Sequence, residues 1–70
     1  MDRKRVNSSK LRAVGYDERN RTLEVEFIDG KVIAYSNVAP AIHSGLMSAP
    51  SETSYFDDKI AEDFSGRRLR

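Results

Sequence analysis

The most regular pattern in the chain is the alternation of apolar and polar residues over positions 23–27. It is followed by Asp29-Gly30 and by a second β-forming segment over 31–35. An Asp-Gly pair between two such segments is typical of a two-residue hairpin, because a type I′ turn needs positive φ at both central positions. The pattern therefore predicts two antiparallel strands joined at Asp29-Gly30.

A two-residue turn would also set the register of these strands. Phe27 would oppose Val32, and opposed residues share one face of the sheet. The predicted core face consists of Leu23, Val25, Phe27, Val32 and Ala34. The predicted second face consists of Glu24, Glu26, Ile28, Lys31, Ile33 and Tyr35. Because the second face mixes polar and apolar residues, we expect it to be open to water or only partly covered.

An earlier strand is predicted over residues 10–17. If the polar segment 18–21 forms the loop, Tyr16 opposes Leu23 and Val14 also joins the core face. The two hairpins then agree on one core face, which indicates a three-stranded meander. The residues of this strand expected on the other face are Leu11, Ala13 and Gly15.

The segment after the strands has helical spacing. Pro40 suits a first helical turn, and Asn37 or Ala39 can precede it as the cap. Ile42 and Leu46 lie four residues apart on one helix face. Pro50 would end this helix.

A second helix is predicted from a capping-box spacing, with Ser54 as the N-cap and Asp57 reaching back. Phe56, Ile60 and Phe64 then recur every four residues and form an apolar stripe. Strands followed by helices indicate an α+β fold. We expect a three-stranded antiparallel β-meander followed by two α-helices packed on one face.

Length and composition favour one small domain. A chain of 70 residues fits a single domain over 1–70, and we expect an ordered core of about 7–64 with basic tails at both ends. There is no cysteine, which excludes disulfides and thiolate metal sites. There is no long apolar run, so neither a membrane span nor a signal peptide is indicated. These features predict a cytoplasmic protein.

The net charge of +1 conceals an uneven distribution. Arginine and lysine occupy positions 3–5, and arginine occupies 67, 68 and 70. Residues 6–66 contain 6 basic and 10 acidic residues, a balance of −4. Basic tails can attract phosphate without sequence preference, although solvated and frayed termini are the more common explanation.

No group of residues in the sequence predicts catalysis. His43 is the one histidine, and it lacks the cysteine or second histidine that a zinc site needs. The serines fit turns and caps, and the glycines do not form a phosphate-binding loop. We therefore expect no enzymatic activity, no metal and no cofactor.

The predicted second face supplies a candidate binding surface. Tyr35 would lie there beside Ile33 and Lys31, with Arg12 as a further cation. An exposed aromatic flanked by cations can stack nucleic-acid bases. The alternative is that one terminus folds over Tyr35 and gives it a structural role.

The order of short segments along the chain resembles the KTSC domain family. The resemblance covers about residues 6–64. Its segments are Asn7-Ser8-Ser9-Lys10-Leu11, Val14-Gly15-Tyr16-Asp17, Thr22-Leu23-Glu24-Val25-Glu26-Phe27, Gly30-Lys31-Val32, Tyr35, Val38, Pro40, Leu46, Ala49-Pro50-Ser51, Tyr55-Phe56 and Ile60. The family has a central Tyr-x-Tyr pattern, which here reads Ile33-Ala34-Tyr35.

The resemblance implies little about chemistry. The KTSC domain is named after the C-terminal domain of some lysyl-tRNA synthetases, and it also occurs as short separate bacterial and phage proteins. The family has no established activity, and its synthetase context suggests RNA binding. The expected function is thus a non-enzymatic binding module for RNA or an RNA-associated protein. The alternative is a protein-interaction module that uses the sheet face around Tyr35 or an exposed sheet edge.

Overall fold

The computed structural model describes residues 3–6 and 8–70, and it has an α+β fold with five antiparallel strands and two helices. The strands are β1 (Arg3–Arg5), β2 (Leu11–Asp17), β3 (Thr22–Phe27), β4 (Val32–Tyr35) and β5 (Gly66–Arg68). The helices are α1 (Pro40–Ser48) and α2 (Glu52–Tyr55), and α2 continues directly into a π-helical segment (Phe56–Ile60). The expected α+β class is confirmed, whereas the expected number of three strands is wrong.

The two additional strands come from the basic ends of the chain. β1 pairs with β2, and β5 pairs with β4, so the strand order is β1-β2-β3-β4-β5. Both are edge strands whose residues are all exposed. An exposed edge strand needs no apolar alternation, and charged residues there hinder edge-to-edge aggregation. Residues 1 and 2 of the predicted basic N-terminal tail, and residue 7, lie outside the described residues.

The first hairpin has the predicted register. Tyr16 pairs with Leu23 and Val14 with Val25. In the loop, the left-handed residue is Arg21, with φ 53°. The side-chain amide of Asn20 donates to Asp17 Oδ2 at 2.8 Å.

A β-bulge in β2 places Leu11 on the other face of the sheet from the predicted one. Leu11 pairs with Phe27, but Ala13 pairs with Glu26, so Arg12 is the extra residue. A bulge shifts the alternation of the strand by one residue. Leu11 is consequently fully buried in the core instead of lying on the other face.

The second hairpin has a different turn from the predicted one. Phe27 N–H donates to the Lys31 carbonyl at 2.8 Å, and Gly30 N–H donates to the Phe27 carbonyl at 2.9 Å. The loop is therefore three residues long, Ile28 to Gly30. Gly30 has φ +95°, while Asp29 is not among the described residues with positive φ. This is a type I turn completed by a left-handed glycine, rather than a type I′ turn.

The longer loop shifts β4 by one residue relative to β3. Leu23 pairs with Tyr35 and Val25 with Ile33. Because a shift of one residue exchanges the two faces, Tyr35 and Ile33 join the core side. The predicted face of Val32 and Ala34 is wrong for the same reason, since they share the opposite face with Glu26 and Glu24, although Val32 is buried as expected.

The helices cover one face of the sheet. Leu46 of α1 and Phe56 and Ile60 of the π-helical segment are buried against sheet residues such as Leu11 and Val25. Within residues 3–6 and 8–70, neither helix has the length and apolar content needed to span a bilayer.

The helix starts differ in how well the sequence predicted them. α1 begins at Pro40 after Ala39, which supplies no side-chain cap. α2 is capped by Ser51, whose hydroxyl accepts from the Ser54 N–H, so the predicted N-cap at Ser54 is wrong. The predicted stripe is nevertheless present, because Phe56 and Ile60 are buried and Phe64 packs against the core.

The turn geometry predicts that Gly30→Val lowers the free energy of unfolding by more than about 1 kcal/mol, because a β-branched residue resists positive φ. Ile28→Val is the matched control: it introduces the same residue in the same turn at an exposed position. We expect the control to change stability by less than about 0.5 kcal/mol. Chemical denaturation measures both values, and equal effects of the two substitutions would contradict the role assigned to Gly30.

Candidate functional site

Tyr35 lies in the core and not on the predicted binding surface. Its side chain is only 5% exposed. Its ring packs edge-to-face against Phe56, with 5.7 Å between the ring centroids. Gly66 of β5 lies beside it, and a Cβ on that glycine would come within 2.8 Å of the Tyr35 ring. Burial raises the pKa of the Tyr35 hydroxyl. A base has no room to stack on this ring, so the predicted exposure of Tyr35 is wrong.

The other predicted site residues do not form one surface. Ile33 packs against the core cluster beside Tyr35. The Lys31 ammonium lies 4.8 Å from the centroid of the buried Phe27 ring, in a cation–π contact. Arg12 lies on the opposite face, where its guanidinium pairs with Glu26. The structure thus separates Arg12 from the other three residues.

The surface that faces away from the helices is rich in arginine, and we call it the open face. The register assigns to it Arg3, Arg5, Ala13, Gly15, Glu24, Glu26, Val32, Ala34 and Arg67. Arg12 and Arg70 reach it through ion pairs with Glu26. Among the residues that the structure describes, five arginines therefore accompany two glutamates on this face.

Arg3 spans the open face from the edge towards the centre. Arg3 and Glu24 pair with the same residue of β2, Gly15, from its two sides. The Arg3 guanidinium reaches Glu24 at 3.1 Å and Glu26 at 3.3 Å. Gly15 has no side chain to obstruct this path. The arginine is therefore held flat across the strand by two carboxylates.

Glu26 is the acidic centre of the open face. Besides Arg3, it pairs with Arg12 at 3.7 Å and with Arg70 at 4.0 Å. These pairs are partly exposed, and such pairs contribute about 0–1 kcal/mol each. Their main effect is to fix the positions of long side chains that otherwise move freely. Val32, only 1% exposed, lies buried among them on a face that no helix covers.

The sequence contains a weak indication of the open face, which lies in the spacing of charged residues and not in the basic composition. Arg3 and Arg5 lie two residues apart, as do Glu24 and Glu26. Two-residue spacing places each pair on one face of a strand. The opposite charges of the two pairs suggest that their strands lie close together. The spacing does not show that β2 lies between these two strands.

A second feature lies on the helix side, between β1 and α1. It is a groove of about 400 Å³ lined by Lys4, Val14, Tyr16, Glu18, Pro40, His43 and Ser44. The rings of His43 and Tyr16 are stacked, with centroids 4.6 Å apart and an interplanar angle of 11°. The Tyr16 hydroxyl donates to the Val38 carbonyl, which holds this ring in place. Sequence reasoning placed His43 on a helix but did not find its aromatic partner.

The ionisable groups near the groove respond to burial and charge. Burial lowers the pKa of His43, and the positive charge of Lys4 lowers it further. Burial also raises the pKa of Tyr16. His43 is therefore favoured in its neutral form. Among the described residues, no group of three or more histidine, aspartate or glutamate side chains is arranged to hold a metal ion.

Comparison with known proteins identifies the class. The sequence profile of the KTSC domain matches residues 7–64. The chain therefore belongs to the KTSC domain family, and the expected resemblance is confirmed. Its fold is that of a KTSC domain protein from Yersinia pestis, whose crystal structure aligns with a TM-score of 0.93 at 36% identity, covering 99% of this chain and 97% of that one.

Two relatives show where such sequences occur. An uncharacterized protein of Stutzerimonas stutzeri (strain A1501) is 39% identical over 57 residues, which are 81% of this chain and 80% of the relative. A lysine–tRNA ligase of Nostoc punctiforme (strain ATCC 29133 / PCC 73102) is 31% identical over 61 residues. That match covers 87% of this chain but only 11% of the ligase, so the chain corresponds to a small part of that protein.

The lowered pKa of His43 predicts a pH dependence of stability. A group whose pKa is lower in the folded state binds more protons when unfolded, so stability falls as pH drops below the unfolded value of 6.5. His43→Gln removes this contribution. Between about pH 7.5 and about pH 5.5, the wild type should lose more unfolding free energy than the variant. Parallel slopes of the two proteins in denaturation measured over this range would show that His43 is not perturbed.

Proposed function

We propose that this chain is a non-enzymatic RNA-binding module that contacts the phosphate backbone through its open face. The observation that carries the proposal is the excess of five arginines over two glutamates on one side of the sheet, counted over residues 3–6 and 8–70. Arginine forms bidentate hydrogen bonds with phosphate and remains charged at any physiological pH. Contacts of this type position an RNA without reading its sequence.

Arg5 and Arg67 lie at the two opposite rims of the open face, whereas Arg3, Arg12 and Arg70 reach Glu24 or Glu26 at its centre. Arg3 and Arg5 belong to β1, and Arg67 belongs to β5, at the opposite edge of the sheet. Four strand spacings separate these edges, or about 19 Å. Glu24 and Glu26 lie between them on β3. Because these carboxylates engage Arg3, Arg12 and Arg70, the backbone would follow the rims, where Arg5 and Arg67 lie.

The similarity to a lysine–tRNA ligase supports an RNA partner. That protein is named for an activity on tRNA, and the segment similar to this chain is 11% of its length. A basic module of this size can add affinity for RNA without taking part in chemistry, since phosphate contacts supply most of the non-specific binding energy. The partner we propose is RNA, and no cofactor is needed for this function.

The non-enzymatic part of the proposal is supported by how the polar side chains are used. Glu24 and Glu26 are paired with arginine. The imidazole of His43 stacks on Tyr16. Neither arrangement joins a nucleophile to a base, which acid–base or covalent catalysis would require. The cysteine-free composition fits a reducing compartment, and the cytoplasm is the localisation we propose.

A protein partner is the second candidate function. Ile28 and Leu69 are large apolar residues that remain 53% and 43% exposed. Leu69 follows β5 and its N–H donates to the Val32 carbonyl, so it adjoins the open face. Exposed apolar residues near a sheet edge are used in protein recognition. An RNA-associated protein would fit this surface.

RNA binding predicts a specific effect of the rim arginines. Arg5→Gln combined with Arg67→Gln should weaken binding and reduce the slope of log K against log salt by about 1 for each phosphate group that the variant no longer neutralises. These two residues are exposed on the edge strands, so the fold should be retained. Fluorescence anisotropy of a labelled RNA at several salt concentrations measures affinity and slope.

The matched control is Arg19→Gln combined with Lys59→Gln. Both residues are exposed, and they lie in the β2–β3 turn and in the π-helical segment, outside the open face. The net charge is the same in both double variants. Equal reductions of affinity would reduce the interaction to general charge attraction. No detectable RNA binding by the wild type at low salt would refute the proposed function.

A further inference from the structure

The groove between β1 and α1 has the dimensions of a small-ligand site. Its volume of about 400 Å³ is within the range of pockets that bind ligands of nucleotide size. It lies on the helix side of the sheet and is therefore separate from the open face. None of the contacts proposed above for RNA uses it.

One wall of the groove is an aromatic stack. Tyr16 is fixed by its hydrogen bond to the Val38 carbonyl, and the His43 ring lies nearly parallel to it at 4.6 Å. Both rings line the groove and are only partly buried. A preformed stack can be extended by another planar ring at little entropic cost. Nucleobases stack on histidine and tyrosine in this manner.

The polar residues of the groove complement a nucleotide. Lys4 alternates with Arg3 and Arg5 along β1, so it lies on the helix side and lines the groove. Its ammonium can bind a phosphate group. Glu18 lines the same groove, and a carboxylate can accept from the exocyclic amino group of a base. Ser44 adds a hydroxyl that both donates and accepts.

We propose that this groove binds one unpaired nucleotide of the RNA, with the base stacked on the His43–Tyr16 pair and its phosphate on Lys4. This inference rests on the proposed RNA-binding function. The role of Glu18 favours bases that carry an amino group, namely adenine, cytosine and guanine, over uracil.

The position of β1 allows both surfaces to engage one RNA. Successive residues of this edge strand project to opposite sides of the sheet, so Arg3 and Arg5 point to the open face and Lys4 to the groove. A single strand that crosses the β1 edge can place its backbone at the rim arginines and insert one base into the groove. The ligand is therefore a single-stranded or looped segment and not a continuous duplex.

The experiment uses a short oligouridine that contains a single 2-aminopurine and an end label. Anisotropy of the end label reports total binding, and 2-aminopurine fluorescence falls when its base stacks on an aromatic ring. We expect binding to quench the 2-aminopurine. His43→Ala should abolish most of the quenching and weaken binding at least about five-fold, whereas His43→Phe should retain both. Lys4→Gln should weaken binding without changing the quenching of the bound complex.

The matched control is Ser48→Ala, an exposed position on the same helix that does not line the groove. It should behave as wild type. Binding without quenching, or quenching that survives His43→Ala in a folded variant, would overturn the inference and leave the proposed function intact. Absence of any anisotropy change would refute RNA binding itself. If His43→Ala does not fold, a folded His43→Gln variant replaces it. We then expect loss of quenching in His43→Gln and quenching as in the wild type in His43→Phe, and quenching that persists in His43→Gln would overturn the inference.

Discussion

The arrangement of this domain depends on the backbone hydrogen bonds that close the turn between β3 and β4. Because Gly30 adopts a left-handed conformation, the chain reverses over three residues and Phe27 pairs with Lys31. A shorter turn would exchange the two faces of β4. The turn therefore decides that Tyr35 packs against Phe56 beneath the helices. It also decides that the sheet face opposite the helices carries no large aromatic from β4.

The sequence predicted the elements better than their exact pairing. The apolar residues Val14 and Tyr16 of β2 and Leu23 of β3 alternate with polar or small residues along their strands. This alternation located the first hairpin correctly, since both of its strands have one clearly apolar face. The second hairpin was shifted by one residue, because β4 is apolar on both faces and its pattern does not select a register. Asp-Gly is compatible with both a two-residue and a three-residue turn, and only hydrogen bonding distinguishes them.

Other differences between the predicted and the observed structure occur where the local sequence has no apolar–polar pattern that would reveal them. The bulge at Arg12 moves Leu11 into the core, and nothing in the alternation of β2 signals an extra residue. β1 and β5 are short, charged and exposed, so their pairing with β2 and β4 depends on the edges offered by the finished sheet. The N-cap of α2 lies three residues before the predicted one, because Ser51 and Ser54 are both capable N-caps.

Because of these differences, the candidate site in the structure has different chemical groups from the site predicted from the sequence. The sequence indicated base stacking on Tyr35. In the structure, Arg12 lies on the open face, and the other three predicted site residues lie on the helix side of the sheet. The open face presents arginines on both edge strands of the sheet, together with ion pairs that Arg3, Arg12 and Arg70 form with Glu24 or Glu26. The available aromatic surface is instead the stack of His43 on Tyr16, which joins residues 27 positions apart. A pairing of that separation depends on tertiary structure.

Nuclear Overhauser contacts in the folded protein report the register of β3 and β4. We expect cross-strand backbone contacts between Val25 and Ile33 and between Leu23 and Tyr35, together with contacts from the Tyr35 ring to Phe56. Cross-strand contacts that instead join Val25 with Ala34 would contradict this register. That result would return Tyr35 to the face opposite the helices.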